Sequence, residues 1–228
     1  MLGQLGSLGV AADRVVPIAF HVDYFNDPWK DRFSDRRYSA RQWAYNEAQK
    51  RKDLYFTPML MIDGRLPMLG SDRAKARQAL AQVLAERPSA AITLALEPTA
   101  GKPLEQHLKV TVVARTPALD GRELLVGVAT YESPVTTDVK SGENAGKSLA
   151  EHFAVRRFTA EAVTLNRVAR KTLDLPITLE KDWDARHCGL AVFLQDEKTG
   201  RVYQAESIDW SPKATARESG RSSREPDG

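Results

Sequence analysis

Cysteine is almost missing: Cys188 is the single one in 228 residues. No intrachain disulfide, multi-cysteine metal site or Cys-x-x-Cys redox pair can therefore form within these residues. Long hydrophobic runs are missing too, since nothing approaches the roughly 18 apolar residues of a membrane-spanning helix. The first residues, Met1-Leu2-Gly3-Gln4-Leu5, lack the basic and long apolar regions of a signal peptide. Neither sign of charge prevails: 33 Lys and Arg against 30 Asp and Glu leave a formal charge of +3. So small a surplus supplies no basic face, and a nucleic-acid partner is not expected. With 42% hydrophobic and 28% charged residues, the chain has an ordinary globular composition. Its length suits two units of about 100 residues, each able to bury a core.

The hydrophobic pattern changes period along the chain. Residues 2–10 have Leu2, Leu5 and Leu8 on one helical face, but Gly3, Gly6 and Gly9 weaken a helix and no cap precedes it. They read as the tail of an element. The apolar, β-branched run at 15–25 predicts a central strand of a parallel sheet, beginning after Pro17. After an aromatic loop, Ser39 and Gln42 have capping-box spacing, and a helix is expected to about Lys52 with Ala40, Trp43, Ala44 and Ala48 against the sheet. Asp63-Gly64 between two short apolar runs predicts a hairpin, with Pro67 marking an edge strand. Ser71 is placed to cap a second helix carrying Ala76, Leu80, Val83 and Leu84, which Pro88 ends. Beyond Pro88 the period is two, with strands expected at 92–96, 107–114, 123–131, 188–195 and 202–208. Residues 149–179 give no clear period. The polar stretch 211–228 reads as a disordered tail. The expected fold class is α/β followed by all-β: 1–88 an α/β domain, 89–210 an antiparallel β domain, 211–228 the tail.

Several blocks of residues resemble a family of secreted bacterial proteins, domain-of-unknown-function family 1223. They are Ala19-Phe20-His21-Val22-Asp23-Tyr24, Trp29-Lys30-Asp31, Tyr55-x-Thr57-Pro58, Asp63-Gly64, Gly70-Ser71-Asp72-Arg73, Gly142-Glu143-Asn144-x-Gly146-Lys147-x-Leu149 and Val155-Arg156. The resemblance spans about residues 1–209. It implies a thioredoxin-like first domain, in which Thr57-Pro58 is a Thr-cis-Pro turn facing the active site, and a β-sandwich-like second domain. It also implies export to the periplasm or beyond. Members of that family carry a secretion signal, a first strand and a Cys-x-x-Cys segment before the position of Met1. The thioredoxin-like domain is thus expected to lack its first strand, either because the start is assigned too late or because the sheet is rearranged or completed by a partner.

Candidate site residues follow from both lines. His21 and Asp23 are two apart on an expected strand and share a face. Such a pair can share a proton or hold a metal, or simply fix the aromatic loop that holds Tyr24 and Trp29; no third ligand stands at metal spacing, so no metal is expected. Thr57 and Pro58 form either a turn or a surface that pairs with an extended peptide. The loop holding Glu143 and Asn144 is one residue too short between its glycines for a phosphate loop. It reads as a structured turn open to a ligand or a domain contact. Cys188 follows His187, but neighbours on a strand point to opposite faces, and a buried thiol is expected. No cofactor is expected and no catalytic residue is assigned. The first functional reading is a binding or accessory module with a protein or peptide at the Pro58 face; the alternative is a thiol-disulfide oxidoreductase whose Cys-x-x-Cys is encoded upstream.

Overall fold

A computed structural model describes residue 3 and residues 11–142, 145–166 and 170–211. The expected stub at 2–10, apart from Gly3, together with Glu143, Asn144 and the tail beyond 211, lies outside the described residues. Among the described residues two α-helices, α1 (Arg36–Ala48) and α2 (Arg73–Ala85), accompany eleven strands. The strands are β1 (Met59–Ile62), β2 (Leu66–Leu69), β3 (Ala90–Pro98), β4 (Glu105–Ala114), β5 (Glu123–Glu132), β6 (Val135–Asp138), β7 (Ser148–Glu151), β8 (Ala154–Thr164), β9 (Lys171–Thr178), β10 (Cys188–Gln195) and β11 (Val202–Asp209).

All strand ladders are antiparallel. One sheet has the order β11-β10-β5-β8 and a second β3-β4-β9, with β1-β2 and β6-β7 as separate hairpins. The two larger sheets meet through one core. Alternate residues of β4, namely Leu108, Val110 and Val112, pack with Val126 and Val128 of β5 and Leu190, Val192 and Leu194 of β10. Period-two patterning accounts for that face. Along β10, however, every residue is buried, because its other face is covered as well. Tyr38 of α1, with Val16, Ile18 and Phe20, packs there against Ala129, Tyr131, Val155 and Ala191.

Residues 15–22 depart from the expected central strand. Among the described residues they make a single parallel bridge, from Ala19 to Ala154 of β8. No ladder forms there among the described residues, and residues 15–22 line a cavity instead. Helix α1 also differs from expectation. Asp35 caps it, accepting from the Arg37 N–H, and its buried face is Tyr38, Ser39, Gln42, Tyr45 and Asn46, while Trp43 is 51% exposed. Polar side chains take the inner face because loop backbone groups need them: Gln42 donates to Phe56 O at 2.7 Å and Asn46 accepts from Leu54 N–H at 2.9 Å. Helix α2 is capped by Asp72 rather than Ser71, and it buries Ala76, Ala79 and Leu80. The Asp63-Gly64 hairpin forms with both residues at positive φ, 52° and 65°, as a type I′ turn demands. The patternless stretch holds β7, β8 and β9, and along the last Leu173, Leu175 and Ile177 are half-buried while the residues between them are exposed.

The hairpin tip docks on the β10–β11 turn. Val202 N–H donates to Asp63 O at 2.8 Å, and a Cβ on Gly64 would lie 1.8 Å from Gly200 O. Gln195, buried beside it, donates to Gly200 O at 2.6 Å and accepts from Arg41 of α1 at 2.7 Å. The α/β portion and the β portion are therefore bound by backbone as well as side-chain contacts.

Candidate functional site

A cavity of about 2140 Å³ lies between residues 15–22 and β1, and His21, Trp29, Thr57 and Pro58 all line it. Four of the sequence-derived candidates thus meet at one place. The Thr57–Pro58 peptide bond is cis, as are Asp27–Pro28 and Ser133–Pro134. Both Thr57 and Pro58 are exposed, and Gly70 N–H donates to Pro58 O at 2.7 Å, which ties the turn to the end of β2.

His21 and Asp23 do not act as a pair. The His21 ring Nδ1 lies 2.5 Å from Asp31 Oδ2, and its Nε2 is 3.9 Å from Glu151 Oε2 of β7. Burial by itself would lower the His21 imidazolium, but the hydrogen bond and charge of Asp31, with the charge of Glu151, hold it above its ordinary value. Burial likewise opposes the Asp31 charge, yet the bonds from His21 and from the Phe33 N–H hold its carboxyl below the usual range. Asp23 instead accepts from the Ser39 hydroxyl and bonds the same hydroxyl through its own N–H at 3.0 Å. Asn26 closes the loop between them, donating to Ser34 at 2.8 Å and accepting from Asp31 N–H at 3.1 Å. Both residues are bonded to the segment that follows them, His21 to Asp31 and Asp23 to Ser39. Among the described residues, no three His, Cys, Asp or Glu side chains gather as a metal site.

Tyr24 belongs to a cluster of rings beside the Thr57–Pro58 turn. Its centroid is 4.5 Å from that of Tyr55 and 4.9 Å from that of Phe25, and Tyr55 is 5.3 Å from Trp43. The Tyr24 hydroxyl donates to Gln42 at 2.9 Å. Phe25, Trp43 and Tyr55 are 67%, 51% and 43% exposed, and Phe25 also lines the cavity. Reading the sequence alone placed Trp43 inside and missed Phe25 and Tyr55 as surface residues, and it missed Asp31 and Glu151 as the partners of His21. An aromatic residue two positions before Thr57-Pro58 was the available signal for Tyr55; none marked Glu151, which lies 130 residues away in the chain.

Cys188 is 3% exposed among Leu179, Trp183 and Trp210. Burial first, then the charge of Glu132, pushes its thiol up to about 12, so thiolate chemistry is closed to it. Among the described residues no helix is long and apolar enough to cross a membrane.

Among the described residues, mostly antiparallel strands and few helices define a β-rich protein with a wide cleft bordered by exposed rings. The chain matches the family described as "Protein of unknown function (DUF1223)" over residues 3–195, and it belongs to that family. No curated protein matches it. Among solved structures, HBP35 of Porphyromonas gingivalis shares the fold with a TM-score of 0.59 at 12% identity, over 82% of this chain and 63% of that one. The chain thus spans less than two thirds of that protein. A β-glucosidase from Kluyveromyces marxianus overlaps at a TM-score of 0.26 and 11% identity, over 54% of this chain and 14% of the other, too little to bear on function.

Proposed function

We propose that this protein is a binding or accessory module that docks a protein or peptide on the face around Thr57 and Pro58. In this reading residues 1–88 belong to a thioredoxin-like unit, and residues 89–210 form a β-sandwich-like unit that supports it. The observation that carries it is the cluster of Tyr24, Phe25, Trp43 and Tyr55 beside the Thr57–Pro58 turn, three of whose rings are left largely in water. Contiguous exposed aromatic surface of this kind is a mark of an interface. Thiol-disulfide exchange finds no support in these residues, because the one thiol is buried and protonated.

A photo-crosslinking residue placed at Phe25 in living cells tests the reading. A discrete protein adduct is expected there and not from the exposed control position Lys102. Adducts that are equally frequent at both positions would remove the assignment.

A further inference from the structure

Asn46, near the end of α1, is 4% exposed, and its amide is only half satisfied. Its Oδ1 accepts from the Leu54 N–H at 2.9 Å, while its Nδ2 is buried and finds no acceptor among the described residues. A buried donor left in that state is costly, so an incoming acceptor gains more there than on open surface. Asn46 also lines a second pocket, of about 480 Å³, together with Trp43, Glu47, Lys50, Arg51 and Lys52. Its volume is within the range of small-ligand sites. Trp43 stands three residues before Asn46 and shares its side of the helix. The far wall is built where α1 ends: Lys50 N–H donates to Glu47 O at 3.1 Å and Arg51 N–H to Asn46 O at 2.8 Å, with Lys50 at a φ of 52°. Those two bonds are a Schellman closure, and they satisfy the helix carbonyls with backbone donors.

The charges around the pocket favour one kind of acceptor. Arg51 spends its guanidinium on Asp53 at 2.5 Å. Lys50 and Lys52 are exposed and make no ion pair among the described residues, and neither does Glu47, so two ammonium groups face one carboxylate. A neutral carbonyl would answer Nδ2 and leave the ammonium groups unmatched. A carboxylate answers both, since it has two oxygens that only accept. Trp43 lies 5.3 Å from Tyr55, centroid to centroid, so the pocket adjoins the exposed rings beside the Thr57–Pro58 turn. We infer that the pocket takes the carboxylate of an Asp or Glu side chain carried by the protein that docks on the Pro58 face. Asn46 Nδ2 donates to one oxygen, and Lys50 or Lys52 pairs with the other. The site presupposes that docking face and adds an acidic residue as the feature by which the partner is selected.

The chain is titrated with N-acetylglutamic acid N-methylamide and, in parallel, with its glutamine counterpart and with inorganic phosphate, and followed by NMR. The Asn46 side-chain amide signal is expected to move downfield and saturate with the glutamate probe and to stay in place with the glutamine probe. The double variant Lys50→Gln, Lys52→Gln, which alters exposed side chains only, should weaken the glutamate probe about fivefold. Asn46→Asp keeps an acceptor for the Leu54 N–H but loses the donor, and it should abolish saturation as read at the Trp43 indole N–H. An equal response to glutamate and glutamine, tighter binding of phosphate than of glutamate, or an Asn46 signal that never moves overturns the site. In cells, the adduct from a crosslinking residue at Phe25 should fall about fivefold in the double lysine variant. If that adduct is unchanged and the Asn46 signal is silent, the pocket fails and the docking face survives. If Phe25 gives no adduct while the glutamate probe still saturates the pocket, the face fails, and the assignment of the carboxylate to a docked protein fails with it.

Discussion

Arg156 ties together several parts of the molecule. Its guanidinium pairs with Glu132 at 2.6 Å, where the two side chains are 11% and 6% exposed, and it lies over the rings of Phe33 at 5.2 Å and Trp183 at 4.9 Å. Phe33 in turn packs edge-on against His21, so β5, β8 and the loop after Asp23 share one charged contact. Removing one member of a buried pair leaves the other without compensation. Glu132→Ala is therefore expected to lower stability by about 3 kcal/mol, read as a drop in the denaturant midpoint. Replacing both residues by apolar ones of similar size should recover part of the loss. Gly64 shows the opposite kind of constraint, imposed by backbone: its positive φ and the neighbouring Gly200 O leave no room for a side chain.

Between elements, His21 is the point of contact that depends on pH. It stands between Asp31 of its own loop and Glu151 of β7, the charged groups that act on it, with the Phe33 ring against its edge. A second tie joins the same loop to the neighbouring strand, Arg32 donating to Thr136 O at 3.2 Å. The folded imidazolium titrates above its ordinary value, so it contributes stability that is whole below about pH 6.5 and is lost as pH rises through the raised value. Asp31 has the opposite sign, adding stability above about pH 4 that disappears on acidification. The clasp is thus strongest between about pH 4 and 6.5. Melting temperatures of the wild type and His21→Gln should differ most in that window and converge in mildly alkaline buffer. A constant difference from pH 5 to pH 9 would refute the ionic account. Deprotonation leaves a neutral ring that can still donate to Asp31, so the contact with Glu151, and with it the β6–β7 hairpin, is the part expected to loosen.

Across the whole molecule, the chain's first hundred residues and its β sheets share a core. Val16, Ile18, Phe20 and Tyr38 pack on Ala129, Tyr131, Val155 and Ala191, and the Asp63-Gly64 tip is bonded to the β10–β11 turn. Burial that crosses the connection in this way favours joint unfolding. Near-ultraviolet circular dichroism, which reports the packed aromatics, and the far-ultraviolet β signal are expected to give coincident thermal transitions. Two separated transitions would mean that the shared core contributes little.

Local chemistry made part of this architecture readable from residues alone. A turn needing two positive φ angles selects Asp63-Gly64, and alternating side chains mark β4 and β5 as sheet surfaces, because both properties depend on neighbours in the chain. The pairing of Thr57 with Pro58, and the glycines at 142 and 146 whose φ angles are 82° and 79°, are legible for the same reason. Tertiary structure decided the rest. Which face of α1 is inner depended on where unsatisfied backbone at Phe56 and Leu54 needed Gln42 and Asn46, and the helix period could not reveal that. His21 found Asp31 and Glu151 rather than Asp23, since a hydrogen bond is settled by proximity in space. The pairing of residues 15–22 with β8 at Ala19 alone, among the described residues, has the same origin: a strand's pattern announces that it is extended, but only the assembled fold determines which residues its edges meet.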